Sequence, residues 1–418
     1  MNSILLDLMR AGNRYNPERD IHFYVMPHWP GNTVNSWRRL FYSALGTGMT
    51  IVNLFEFRPV QAAYTENHVS LPEMYTTVRD AFYELGTFED IVQAGHVRWG
   101  NVGLWYSRAG DAWHDDAVPF GPNKRALYIA IRHQQVQLDI VDEDDALRGT
   151  LKDYKVIYLT DRHVSTHASQ AIADWVKAGG TLFATAGAGM RDQYDKPNAI
   201  LQGLLGVKET ELLIDTDQPT QYEKQDLPFY QPIDEVKLAD DASVTMPVIG
   251  SQSLIELSGA SAAAAFKDGQ PAVAVNTVGS GKTYYAAFLP GLSYFKPAMP
   301  MMPVDRGSTD DASAHFIPTA FDAGADKVIG MPVADIARPV TASNNLVQAT
   351  IIDSDKGMAI VLANWAGKPI KGLTVTLHEA TNAKAITLAT GGDVKVDRGD
   401  GVVTFTLDLD VADAIILR

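Results

Sequence analysis

Residues 21–58 read IHFYVMPHWPGNTVNSWRRLFYSALGTGMTIVNLFEFR, and the fold of the first part of the chain turns on them. An apolar run at 21–26 ends in His28, Trp29, Pro30, Gly31 and Asn32. Residues 34–45 carry apolar side chains at helical spacing. A second apolar run, 51–55, closes on Glu56, Phe57 and Arg58. Strand, helix, strand with a crossover of this length is a parallel βαβ unit. Polar and aromatic residues massed after both strands mark the face where α/β folds carry their sites. Chemistry is expected first at these two strand ends.

Upstream, MNSILLDLMRAG spaces Ile4, Leu5, Leu8 and Met9 as an amphipathic helix. It places charge among its apolar residues and lacks a basic n-region, so it does not read as a secretory signal. Downstream, the loop PVQAAYTENHVS leads to a helix over about 71–88. Ser70 or Leu71 marks its cap region, Pro72 suits its first turn and Glu73 its positive end. Helix, strand, helix, strand, helix makes about two (β/α) units. A complete barrel needs eight, so if residues 1–97 are part of a (β/α)8 barrel, most of that barrel lies outside the chain; the resemblance given below implies that they are its C-terminal portion.

From NVGLWY (101–106) a different α/β alternation begins. Helices are expected at about 123–134 and 167–178, and strands at 136–141, 155–159 and 181–186. Gly179-Gly180 stops the second helix. A shorter helix at 198–205 completes the layer. The order predicts a doubly wound parallel sheet, flavodoxin-like, over residues 98–338. From 207 acidic, proline-containing connections surround short strands such as 272–275 and 283–288, and MPMMPVDRGSTDDASAH is an irregular excursion. Beyond Pro339 six alternating runs follow: LVQATIID, GMAIVLANWA, LTVTLHEA, AITLAT, VVTFTLDLD and AIILR. With turns at Asp355-Lys356-Gly357 and Asp400-Gly401, they predict a β-sandwich over 339–418. The fold class is thus α/β plus all-β.

A chain of 418 residues suggests two to four domains, and 46% apolar with 20% charged residues describes a globular protein. No apolar stretch approaches the roughly 20 residues that span a bilayer. A net charge of −15 disfavours nucleic acid and anionic membranes as partners and leaves neutral ligands, sugars among them. With no cysteine, disulfides, thiolate metal sites and a Cys nucleophile are excluded, while the compartment stays open.

Two motifs invite over-reading. Gly279-Ser280-Gly281-Lys282-Thr283 imitates a phosphate loop, but Asn276 stands where its first glycine belongs, and TYYAAFLPG alternates like a strand. A hairpin is expected. Trp113-His114-Asp115-Asp116 offers an imidazole and two carboxylates, but at adjacent positions that is weak metal-site spacing. It reads as a polar loop packed over the barrel mouth.

Several stretches resemble glycoside hydrolase family 42 β-galactosidases. NVGLWYSRAG, DYKVIYLTD and WVKAGGTLFATAGAGMRDQYD are similar to that family's trimerisation domain, a module like class I glutamine amidotransferases. QPAVAVNTVGSGKTYYAAFLPG resembles its closing hairpin, and LANWAG with LDVADAIILR the terminal β-domain. WRRLFYSALGTGMTIVNLFEFR resembles the last barrel helix and strand. The resemblance implies a glycosidase of β-galactosidase type acting through two glutamates without metal or organic cofactor, on an oligosaccharide or glycoside, as a homotrimer. It departs from the family in telling ways. The strand carrying the family's acid/base is not in this chain, and 21–26 runs into Met26-Pro27-His28-Trp29 where the family has its nucleophile. Glu56 stands where the family has glutamine. Glutaminase chemistry is excluded because its nucleophile is a cysteine.

Glu56 is the first candidate carboxylate, since one at the end of a buried strand demands a charged partner or a cleft. The partner would be Arg58, Arg38 or Arg39. Glu66 is the local second candidate for a two-carboxylate mechanism. Trp29 suits a sugar platform, with His28 and Asn32 as hydroxyl partners; Arg58, Tyr64 and His68 complete the expected rim. The competing reading is a non-catalytic carbohydrate-binding or oligomer-forming protein.

Overall fold

The computed structural model describes residues 2–27, 33–54, 72–113, 119–215, 231–298 and 317–418. Its first part comprises α1 (Asn2–Gly12), β1 (His22–Tyr24), α2 (Val34–Leu45), β2 (Ile51–Asn53), α3 (Glu73–Leu85), α4 (Glu89–Ala94) and β3 (His96–Val97). β1 and β2 pair in parallel, with Phe23 opposite Val52, and no further described strand joins them. This is a piece of barrel, not a closed one. Parallel strands are ordinarily covered on both faces, yet Tyr24 and Ile51 are exposed here.

The expected α/β alternation is present. It runs β4 (Val102–Trp105), α5 (Arg108–Ala112), α6 (Phe120–His133), β5 (Leu138–Val141), α7 (Glu143–Arg148), β6 (Val156–Leu159), α8 (Thr166–Lys177), β7 (Thr181–Ala184) and α9 (Ala199–Leu205). After these come β8 (Val207–Ile214), β9 (Asp234–Leu238), β10 (Thr245–Val248), β11 (Ser251–Leu257), β12 (Ser261–Phe266), β13 (Pro271–Val278) and β14 (Gly281–Ala286). Helices α10 (Pro290–Phe295) and α11 (Ala323–Gly330) follow. The nine-stranded sheet has the order β10-β9-β12-β13-β14-β7-β6-β4-β5. Its β14, β7, β6, β4 and β5 are parallel. The chain leaves β4 for β5 on one side and then crosses to β6 on the other, the flavodoxin-type reversal. VGLW, LDIV and VIYL are buried at every position because helices cover both faces. The Gly-Ser-Gly-Lys-Thr stretch closes the antiparallel β13–β14 hairpin, with Gly279 at φ +61° in the turn. That geometry has no helix start for a phosphate.

The C-terminal part is a two-sheet sandwich of β15 (Val340–Ala342), β16 (Val347–Ser354), β17 (Gly357–Asn364), β18 (Ile370–Leu377), β19 (Ile386–Leu388), β20 (Lys395–Gly399), β21 (Val402–Leu409) and β22 (Ala412–Leu417). One sheet has the order β15-β18-β21-β20 and the other β19-β22-β17-β16-β3. All six expected runs are strands, joined by β15 and β20. β3, which the sequence reading does not name, is an edge strand of the sandwich, Val97 opposite Ile352. Leu373, Val375 and Leu377 alternate inward toward Phe405 and Ile360. β17 and β22 instead are apolar on both faces, because their outer face packs Val361, Ala412 and Ala414 against Trp37 and Phe41 of α2.

Helices α6 and α10 meet through His133, whose Nδ1 lies 2.9 Å from the Tyr294 hydroxyl and whose ring meets Phe321 edge-on. Burial, with Arg132 adding repulsion, pushes the imidazole down to about 4. A histidine depressed in the folded state is neutral there while the unfolded chain takes up a proton, so its contribution is full above pH 6.5 and is lost as pH falls toward 4. Urea unfolding should lose up to about 3 kcal/mol across that window, and His133→Gln should flatten most of this acid limb.

Candidate functional site at two strand ends

β1 and β2 run in the same direction, so the chain leaves both at one edge. The ladder continues past β1 through Val25 N–H to Asn53 O at 2.9 Å. At the other end, Ile21 N–H donates to Thr50 Oγ1, which donates to Asp20. Register is thus pinned at the entry and the exit faces outward. The described chain reaches Pro27 after β1 and Leu54 after β2. His28, Trp29, Asn32, Glu56, Arg58, Tyr64, Glu66 and His68 all lie outside the described residues, as do His114, Asp115 and Asp116.

What supports that edge is described in detail. Thr33 caps α2 by accepting from Ser36 N–H, which fixes where the helix begins after the first strand end. Trp37 is fully buried, stacks on Phe41 at 5.3 Å and donates from Nε1 to Val25 O at 3.3 Å. It holds β1 to α2 directly below the exit. Arg38 pairs with Glu84 of α3 at 2.6 Å and also donates to Ala412 O. Tyr42 donates to the same Glu84 oxygen at 2.5 Å. Arg39 donates to Asn364 O and lies over the Trp365 ring. Both helix arginines named as partners for Glu56 therefore make bonds to α3 or the sandwich. Glu84 carried no sequence signal beyond falling on an amphipathic helix.

The crevice where the sheet order reverses, between the ends of β4 and β6, is the other place where an α/β fold can hold a ligand. Asp161 is buried there and bonded by Lys124 at 2.5 Å and by Ser107 N–H at 3.1 Å. Burial pushes its carboxyl up, and Lys124 opposes this. Burial likewise raises Glu143, which accepts from Arg108 N–H. The Ser107 hydroxyl donates to His163 O at 2.7 Å, while the His163 imidazole pairs with Asp195. The same hydroxyl also lies 3.2 Å from a Glu143 carboxylate oxygen, and among the described residues no imidazole faces it; the cluster ties the strand ends together. Trp113 belongs to this end. Its ring stacks on His163 and its N–H donates to Gln193 O, while the loop that follows it lies outside the described residues. Among the described residues no group of three or more His, Asp or Glu is arranged to hold a metal, and no helix is long and apolar enough to cross a membrane.

Residues 122–297 match the family model described as the β-galactosidase trimerisation domain. Over its full length the chain also shares a fold with solved β-galactosidases. That of Bacillus circulans sp. alkalophilus aligns over 100% of this chain and 58% of its own, at TM-score 0.67 and 15% identity. That of Rahnella sp. R3 aligns over 100% and 57%, at 0.67 and 18%. Gan42B, a GH42 β-galactosidase from G. stearothermophilus, aligns over 100% and 56%, at 0.67 and 14%. No curated protein sequence matches. The chain spans less than three fifths of the length of these solved proteins. At such identities the likeness is one of fold: the chain is like the C-terminal part of GH42 β-galactosidases.

Proposed function

We propose that this chain, built like the C-terminal part of GH42 β-galactosidases, serves glycoside hydrolysis by completing the sugar site and assembling the oligomer. The observation that carries this reading is the trimerisation-domain match at 122–297 inside a fold that aligns over the whole chain. The domain division read from the sequence is kept with this reading: residues 1–97 carry the site, 98–338 the assembly and 339–418 the β-sandwich. Glu56 is the acid/base or substrate-binding carboxylate and Glu66 its local companion. His28, Trp29, Asn32, Arg58, Tyr64 and His68 shape the sugar pocket. Hydrolysis through an oxocarbenium-like transition state needs two carboxyl groups, about 5 Å apart for retention and about 6.5–9.5 Å for inversion. The pairing of Arg38 with Glu84 supports the reading, since it leaves Arg58 or a substrate hydroxyl as the natural partner of Glu56.

A panel of aryl glycosides assayed on this chain and on Glu56→Gln tests the catalytic part. Turnover of an aryl galactoside that drops at least about a hundredfold in the variant is the expected result. Equal background rates in the two would remove catalysis by this chain and favour the assembly role alone. Light scattering tests the assembly: a trimer at micromolar concentration is expected, and a monomer would count against it.

A further inference from the structure

A cleft of about 700 Å3 lies between α6, the first turn of α1, the C-terminal half of α2, and the edge of the sandwich at β15 and β16. Among the described residues, none of its lining comes from β1 or β2. We propose that this cleft is a second binding site, for a neutral oligosaccharide of two or three units, separate from the strand-end site.

Three carboxamides converge on it. Gln137 is 92% buried, lines the cleft and has no side-chain hydrogen bond to any described residue. Its carboxamide is thus free to bond a ligand hydroxyl. Gln135 holds its backbone at φ +58°, a left-handed conformation that glutamine rarely adopts. This places its side chain where Oε1 accepts from Ala342 N–H at 2.6 Å, and its NH2 group has no described acceptor. Gln348 accepts from Ser43 Oγ at 2.8 Å and likewise keeps its NH2 group without a described acceptor. Carboxamides both donate and accept, the pairing that sugar hydroxyls require.

The walls fit the same chemistry. Trp365 and Phe321 line the cleft; Arg39 lies over the Trp365 ring and Tyr294 stacks on Phe321, so each ring keeps at most one face for the C–H side of a pyranose. Arg132 lines it too, but its charge is answered: Nη1 donates to Asp7, which also takes Arg10, and Arg10 takes Asp139. Two cations thus meet two anions, and His133 is neutral at pH 7. An anionic ligand would find no uncompensated cation, and a cationic one no free carboxylate. The volume is in the range of small-ligand pockets and exceeds what one sugar unit fills.

The test uses Glu56→Gln as host, so that turnover cannot consume the probe. Lactose, cellotriose and maltotriose are titrated calorimetrically into the host and into the host carrying Gln137→Leu or Trp365→Ala. Saturable binding of at least one sugar is expected, with a component weakened about tenfold or more by each cleft substitution. Gln137 bonds no described group, so its leucine variant keeps the fold and decides the matter if Trp365→Ala does not. No saturable binding to the host, or unchanged affinity in Gln137→Leu, overturns the proposal. The aryl glycoside rates are a separate readout, so loss of the strand-end reading would leave this one standing.

Discussion

Asp7→Ala destabilises the chain by about 3–5 kcal/mol, the range for removing one partner from a buried ion pair. Asp7 is 1% exposed and joins α1 to α6. Its Oδ1 accepts from Arg10 Nε at 3.0 Å, and its Oδ2 from Tyr128 Oη at 2.6 Å and Arg132 Nη1 at 3.1 Å. Alanine leaves two buried guanidinium groups to share Asp139 and strands the Tyr128 hydroxyl. Water cannot easily reach either cation, so the desolvation penalty is no longer offset. Asp7→Asn keeps an acceptor and should cost less than the alanine. Pairing Asp7→Asn with Arg132→Met should recover part of the loss, because the surplus charge goes with the arginine. Denaturant unfolding followed by tryptophan fluorescence measures all three. If Asp7→Ala stays within 1 kcal/mol of the parent, the network is ornament and α1 is held by its apolar face alone.

The same network shows which features the sequence could announce. MNSILLDLMRAG announces a helix by its spacing, and LDIV announces a strand by its apolar run. Nothing in either says that Asp7 and Asp139 will share Arg10, since the bond joins residues 129 positions apart. Periodicity reports which face of an element is buried; it carries no address for the partner. The parallel sheet was legible because burial on both faces makes its strands continuous apolar runs. LTVTL and TFTLDL were legible because one face meets solvent and the residues alternate.

Elements without either pattern escaped. β20, KVDRG, is an almost wholly exposed edge strand whose residues read as turn. β8, VKETELLI, pairs with β11 outside the main sheet and keeps an exposed polar face. β3 has two residues, too short for any period, and its place beside β16 is fixed by Arg98, which bonds Asp353 and Glu379 at 2.7 and 2.8 Å. For the candidate site, the sequence named the residue types at the strand ends. The frame beneath them, Glu84 under Arg38 and Tyr42, required two helices to be packed first. The cleft glutamines are harder still to foresee, because they come from stretches some two hundred residues apart and acquire meaning only once a helix end meets a sheet edge.

That frame makes Trp37 the residue through which fold and site are coupled. Trp37→Ala should cost about 3–5 kcal/mol, as for a large aromatic removed from a packed core. The indole is 0% exposed, stacks on Phe41, and lies in the cluster that joins α2 to Val361 and Ala414 of the sandwich. Its N–H also takes up Val25 O, the last carbonyl before the first strand exit. Truncation therefore removes the packing of α2 on the β-sheet and, separately, the tie between α2 and β1. Trp37→Phe separates the two. Phenylalanine preserves most of the stacking and loses only the hydrogen bond, so it should cost about 1–1.5 kcal/mol. If strand-end chemistry depends on this tie, Trp37→Phe will lower aryl glycoside turnover while unfolding shows the chain still folded at the assay temperature. A phenylalanine variant with parental turnover would place Trp37 in the core alone, and the position of β1 would then rest on its register with β2.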